Sequence, residues 1–204
     1  LQIKKQIMPI TSLSQLDLDK KYTYAEYMKW QIKERVELLR GRIMPMSPAP
    51  SREHQQISIT LSYLLYDYFK GKACNVFTAP FDVRLPIRQK EGGETTTVVQ
   101  PDLSVICDEN KLDDRGCVGA PDLIVEILSP GNSKKEMREK YSVYEEAGVR
   151  EYWLVNPLDK VVLVYVANDQ GRFVGLAPTT EDDVLTAAIF PDLKINLQEV
   201  FQPL

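Results

Sequence analysis

Two carboxylates occupy positions where carboxylates are costly. Asp102 follows Gln100-Pro101 within the run Thr96–Cys107, and Glu126 sits inside Leu123-Ile-Val-Glu-Ile-Leu128. Both runs are otherwise mostly apolar and β-branched, so each acid falls within a predicted strand. An ionised carboxylate in such a setting is unfavourable unless something pairs with it. Lys140 has a similar placement: it lies at helical spacing among Met137, Tyr141 and Tyr144, on the apolar side of a predicted helix. Phosphodiester hydrolysis needs charge neutralised on the phosphate, a water activated and a leaving oxygen stabilised. A hard cation held by carboxylates supplies much of this, and a lysine beside it can orient the water or stabilise the pentavalent phosphate. Asp102 and Glu126 are therefore the candidate ligands of Mg2+ (or Mn2+), Lys140 the candidate catalytic cation, and Glu37 a further acid acting on the metal through water. The same spacing also fits a core salt bridge between Glu126 and Lys140 or an arginine, which would persist because losing one partner costs about 3–5 kcal/mol. Lys140 could also run along the tyrosines to solvent.

The elements that must position these residues follow from pattern. Residues 1–22 read as a loose arm, and 23–204 as a single domain, with no composition break inside it. Thr23-Tyr-Ala-Glu26 forms a capping box, predicting a short helix to about Lys33 with Tyr27 and Trp30 inward. Val36 to Met44 predicts a hairpin turning at Arg40-Gly41. A second helix covers about Ser51 to Lys70, with Ile57, Leu61, Leu64, Leu65 and Tyr68 as its core face. His54 shares that face one turn earlier and is expected to bond a loop carbonyl. Strands are predicted over 73–78 and 81–87, then a hairpin tip over 90–95, then a strand from Thr96 to Cys107 in which Pro101 forces an edge or bulge that re-aims Asp102. Residues 108–119 read as a polar loop. Leu123–Leu128 has the composition of a central strand buried on both faces, with Asp122, Ile124, Glu126 and Leu128 sharing one face by period two. Ser133-Lys-Lys-Glu136 is another capping box, and its helix stops at Gly148. Strands Tyr152–Asn156 and Val161–Val166 pair around Asn156-Pro157, Phe173–Leu176 and Val184–Ile189 are weaker strands, and Leu197–Phe201 closes with a helical turn.

Composition sets outer limits. A chain of 204 residues buries one substantial core. The net charge of −4 is not that of a protein that binds nucleic acid by bulk charge, so contact with DNA needs a local basic patch or a bridging metal. Three cysteines without CxxC spacing are expected to be reduced, as in a cytoplasmic protein. A single histidine excludes a multi-histidine zinc site. No run reaches the roughly 18 apolar residues that span a membrane.

A longer set of motifs carries a resemblance: Glu37-Leu-Leu-Arg-Gly41, Met46-Ser-Pro48 with His54, Ala79-Pro-Phe-Asp-Val-Arg-Leu85, Val99-Gln-Pro-Asp-Leu103, Gly119-Ala-Pro-Asp-Leu-Ile-Val-Glu-Ile-Leu-Ser-Pro130, Lys140, Tyr144, and Gly148-Val-Arg-Glu-Tyr-Trp-Leu-Val155. Over about residues 23–201 the chain resembles the Uma-two family of restriction-endonuclease-like proteins. That resemblance implies a PD-(D/E)XK nuclease fold of α/β (α+β) class: a mixed central β-sheet flanked by helices, with added hairpins. It implies a metal-dependent DNA endonuclease with Pro101-Asp102 and Glu126 as its motif. The usual lysine two residues after the glutamate is Leu128 here, and Lys140 on the next helix resembles its replacement. Arg42 stands where many relatives carry an acid, which leaves Glu37 as that hairpin's acid. His54, Asp82, Asp122 and Tyr144 are candidates for contacting substrate or supporting the ligands. A homodimer would suit cleavage of both strands. The alternative is a nuclease fold kept as a binding or dimeric scaffold without catalysis, supported by the acidic charge and by the acids interleaved with Lys134, Lys135, Arg138 and Arg150.

Overall fold

The computed structural model describes residues 9–46, 49–87, 94–129 and 134–202. Two mixed sheets and a separate two-stranded antiparallel sheet near the C-terminal end make up the strands among the described residues. After a 3-10 turn at Leu13–Gln15, helix α1 spans Tyr24–Tyr27, capped by Thr23 as its motif predicts but ending well before Lys33. Strands β1 (Val36–Leu39) and β2 (Arg42–Pro45) form the expected hairpin, with Arg40 and Gly41 both at positive φ, the two-residue turn that matches strand twist. Helix α2 runs over Arg52–Phe69, with Ser51 as its N-cap. Strands β3 (Asn75–Thr78), β4 (Val83–Arg84), β5 (Val98–Val99) and β6 (Leu103–Ile106) follow. Then come β7 (Leu112–Asp113), β8 (Gly116–Val118) and β9 (Leu123–Ile127). Helix α3 (Lys134–Ala147) leads into β10 (Glu151–Asn156), β11 (Val161–Ala167), β12 (Phe173–Gly175) and β13 (Thr179–Thr180). The chain closes with β14 (Val184–Thr186), β15 (Lys194–Asn196) and α4 (Leu197–Phe201). The predicted tip over 90–95 lies largely outside the described residues, and so does Ser133 of the second capping box.

The small sheet has the order β2-β1-β5-β4-β8-β7 and the large sheet β12-β11-β10-β9-β6-β3, with β13 beside β11. Strand β9 is central as expected: it pairs in parallel with β10 and antiparallel with β6. Two expectations change here. The run Thr96–Cys107 is not one strand. Its first part, β5, belongs to the small sheet and its second, β6, to the large one, and the chain crosses between them at Gln100-Pro101-Asp102. Proline cannot donate to a ladder, so it suits the crossing better than a bulge within one sheet. The supposed polar loop over 108–119 contains the hairpin β7–β8. Its Gly116 (φ +124) is required, because a Cβ there would lie 2.1 Å from the carbonyl oxygen of Asp82.

Alternation along β9 sorts the core into layers. Leu123, Val125 and Ile127 face a cluster built with Ile57, Leu61, Leu65 and Phe69 of α2 and with Leu197, Val200 and Phe201 of α4. Each such aliphatic or aromatic side chain, fully buried, stabilises by roughly 1.5–3 kcal/mol. Ile124 faces the opposite layer, where Val143 and Tyr144 of α3 meet Leu39, Val83 and Val99 of the small sheet. Glu126 therefore points toward α3 and the small sheet. The N-terminal segment is not loose over its described part: Leu16 and Tyr22 pack with Val36, Leu38 and Ile43.

The cysteines also depart from expectation. Cys74 and Cys107 form a disulfide, leaving Cys117 free and buried. They flank the Asn75↔Ile106 pair of the β3–β6 ladder, a juxtaposition that only the strand register reveals. Support for a reducing, cytoplasmic setting rested on three free thiols and lapses with this pairing. The bond closes a sequence separation of 33 residues, so Cys107→Ser is expected to destabilise the fold by about 2–4 kcal/mol. Urea melts with and without reductant check this: reductant should lower the wild type to the level of the variant and leave the variant unchanged.

Candidate active site

The crossing residues bring the two sheets' acids together. Glu37, on β1, is buried and points its carboxylate at the crossing, where Oε1 accepts from the backbone N–H of Gln100 at 2.8 Å. Asp102, one residue before β6, accepts from the backbone N–H of Ile127 through Oδ2 at 2.7 Å. Glu126, on β9, accepts from Lys140 Nζ at 2.9 Å and from the Tyr144 hydroxyl at 2.5 Å, both through Oε1. Lys140 Nζ lies 3.1 Å from Glu37 Oε1 as well. Lys140 is thus buried and held between two acids, not extended to solvent. The helical spacing that put Lys140 and Tyr144 on one face of α3 is what lets both reach Glu126.

His54 reaches the same acids from the α2 side. Its Nε2 lies 3.3 Å from Asp102 Oδ2, so the expected loop carbonyl is replaced by a carboxylate. Nδ1 of the ring is buried and meets no partner among the described residues. Asp82 stands one layer back, accepting from the Gln100 side chain at 2.9 Å. Asp122 is turned away at the start of β9, where it accepts from the Cys107 N–H and from Arg150. Although period two places it on the Glu126 face, it does not line the cavity.

That cavity has a volume of about 420 Å³ and exposes Asp102, Glu126, His54 and Lys140 together. Its outer wall carries Arg35, Gln55, Ser58 and Ser62. Ser58 and Ser62 follow His54 at one-turn intervals, a signal present in the sequence but indistinguishable there from other polar residues on the helix. Gln100 was missed too, although it directly precedes Pro101-Asp102. It joins three parts of the site through its backbone bond to Glu37, its amide bond to Asp82 and its acceptance from Arg35 at 2.8 Å.

Glu37 and Glu126 face Lys140 while Asp102 faces His54, so the ionised acids outnumber the cations even when His54 is protonated. Burial, and then the nearby Asp102 and Glu37 charges, push the Glu126 carboxyl up to about 7 against the pull of Lys140. Burial opposes the charge on Lys140, but Glu126 and Glu37 outweigh it and raise its pKa above the ordinary lysine value. Burial also opposes protonation of His54, yet the Asp102 bond and the Asp102 and Glu126 charges raise its pKa. The Tyr144 phenol is driven well above its usual value by burial and then by Glu126, so it stays a hydrogen-bond donor. No group of three or more His, Cys, Asp or Glu side chains among the described residues is arranged to hold a metal ion. Mg2+, however, is commonly held by one or two carboxylates with waters and substrate phosphate. The bonds above engage only one oxygen of Asp102 and one of Glu126, so Oδ1 and Oε2 remain outside them. The donor chemistry and the surplus charge both fit such a cation.

The family model described as "Putative restriction endonuclease" (Uma2) matches residues 24–198. The chain belongs to the Uma2 family. Among curated proteins, it is 27% identical over 152 residues to "Uncharacterized protein slr1290" of Synechocystis sp. (strain ATCC 27184 / PCC 6803 / Kazusa), covering 73% of this chain and 76% of that one. Among solved structures, it is similar to "a putative nuclease belonging to DUF820" from Anabaena variabilis ATCC 29413, with a TM-score of 0.67 and 20% identity over 88% of this chain and 97% of that one. The structural likeness establishes the nuclease-type fold, in agreement with the mixed α+β class read from the sequence. Among the described residues no helix is long and apolar enough to cross a membrane.

Proposed function

We propose that this Uma2 protein is a metal-dependent DNA endonuclease that hydrolyses phosphodiester bonds, with its reaction centre at Asp102, Glu126 and Lys140. The observation that carries the reading is the shared cavity: Asp102 of the crossing and Glu126 of β9 open into it beside a lysine pinned between Glu126 and Glu37. Asp102 and Glu126 would hold Mg2+ (or Mn2+), which supplies charge neutralisation at the phosphate and a more acidic bound water. The chain's own groups do the positioning. His54 and the Ile127 N–H fix the Asp102 carboxylate, while Tyr144 and Lys140 fix Glu126. Glu37 holds Lys140 so that its charge stays beside the reacting phosphate, where a preorganised cation is most effective. Arg35, Gln55, Ser58 and Ser62 offer the strand backbone hydrogen bonds that position without reading sequence. A second copy of the chain would supply the second cut of a duplex.

The test is nicking or linearisation of supercoiled plasmid by the purified protein in Mg2+ or Mn2+. Cleavage that needs the metal and is suppressed by chelator is the expected result; inert protein that nonetheless folds and binds DNA would overturn the reading. One observation favours the scaffold alternative, namely that Glu126 Oε1 is already committed to both Lys140 and Tyr144. Calorimetry with Mn2+ separates the two, because a scaffold without a metal site takes up no heat at millimolar concentrations.

A further inference from the structure

Helix α3 has a second working face. To one side of Lys140, it covers a separate cavity of about 300 Å³ against β10 and β11. The walls are aromatic. Tyr141 meets Tyr165 edge-on with centroids 5.0 Å apart, and Tyr152 stacks on Tyr165 at 5.8 Å. Met137 and Leu154 complete the apolar lining, and Lys134 and Arg138 stand at the mouth, one helical turn apart on the same side. Among the described residues neither cation is paired with an acid. The sequence singled out these basic residues only as charges interleaved with acids, and the active cavity uses none of them.

We propose that this cavity is a nucleotide-binding site, taking a nucleobase against the tyrosines and its phosphate between Lys134 and Arg138. The chemistry is selective in both halves. An aromatic wall accepts any planar base and contributes roughly 1–3 kcal/mol per stacked base, while clustered cations take the phosphate. A purely apolar ligand would leave the two cations without a role, and a bare anion would leave the tyrosines without one. The volume lies at the lower end for small-molecule pockets and suits one base rather than a duplex. The ligand could be a free nucleoside monophosphate or the 5′-phosphorylated end of a single strand. The site also lies close to the acid cluster, since Tyr152 packs against Tyr144 at 5.2 Å and Tyr144 bonds Glu126. The assignment does not depend on hydrolysis at the other cavity.

Isothermal titration of the full chain with deoxyadenosine monophosphate, deoxyadenosine, inorganic phosphate and a 5′-phosphorylated single-stranded oligodeoxynucleotide tests it. The monophosphate is expected to bind, and deoxyadenosine or phosphate alone to bind at least about tenfold more weakly. Lys134→Glu with Arg138→Glu changes two exposed side chains and should weaken the monophosphate by about tenfold or more. Met137→Trp, which fills the cavity from the apolar side, should do the same without altering charge. Tighter binding of the oligodeoxynucleotide than of the monophosphate would assign the strand end as the source, and equal binding the free nucleotide. Absence of monophosphate binding to the wild type, or binding that survives both sets of substitutions, overturns the proposal.

Discussion

Glu126→Gln is expected to lower metal-dependent plasmid cleavage by about 10³-fold or more while leaving the fold in place. The substitution keeps the shape and a carbonyl oxygen that can still accept from Tyr144 and Lys140, so the polar contacts across α3 and β9 survive. What it removes is a charge. A neutral amide is a poor partner for a hard dication, and the cavity would lose one of the two acids proposed to hold it. Glu126→Ala should be equally inactive but less stable, because it leaves the buried Tyr144 hydroxyl and Lys140 without their shared acceptor. The readouts are initial cleavage rates, Mn2+ calorimetry and a thermal melt on the same preparation. Wild-type cleavage by a clean sample of either variant would remove Glu126 from the mechanism. Lost cleavage with unchanged Mn2+ affinity would keep Glu126 essential but take the metal away from it.

Lys140→Met should produce the largest loss of stability at the site. The lysine is the only cation within reach of both Glu37 and Glu126 among the described contacts, and its side chain is 9% exposed. Methionine restores its apolar length but leaves two buried acids facing one another. Breaking a buried ion pair from one side costs about 3–5 kcal/mol, which for a chain of this size lowers the midpoint by about 10 °C. The double variant Lys140→Met with Glu37→Gln removes one orphaned charge and should recover about 1–2 kcal/mol relative to Lys140→Met alone. A single-variant loss below about 1 kcal/mol would mean that the lysine is dispensable to the fold. If cleavage vanished in that same protein, the lysine's role would be catalytic alone.

The sequence made the parts of this site legible, but not how they join. Asp102, Glu126 and Lys140 stood out because each breaks a hydrophobic pattern, and pattern breaks survive in one dimension. The helical interval from Lys140 to Tyr144 placed both on one face, and the structure uses that face. Other features depend on which strands pair. Nothing local in Cys74 or Cys107 announces a bond across 33 residues, because only the β3–β6 register sets them opposite one another. Asp122 shows the converse error. Alternation put it on the Glu126 side, but it lies one residue before β9 and is drawn off by Arg150 and the Cys107 N–H. Glu151 escaped notice as an ordinary strand-end acid, yet it is fully buried and accepts from the Trp153 indole and from the N–H groups of Ala188 and Ile189. Trp153 is a neighbour on the same strand, but Ala188 and Ile189 lie more than thirty residues away, which no local pattern could specify.

The crossing at Gln100-Pro101-Asp102 also bears on when the acid–lysine cluster can form. Glu37 belongs to one sheet, Glu126 to the other, Asp102 to the crossing between them, and Lys140 to the helix that meets both. A chain that has formed only its large sheet presents Glu126 to α3 but has no Glu37 to take up the far side of the lysine. A chain that has formed only its small sheet has Glu37 and no cavity. The proposed centre therefore depends on docking of the two halves, and a half-assembled or locally opened molecule lacks the arrangement of Lys140 between Glu37 and Glu126.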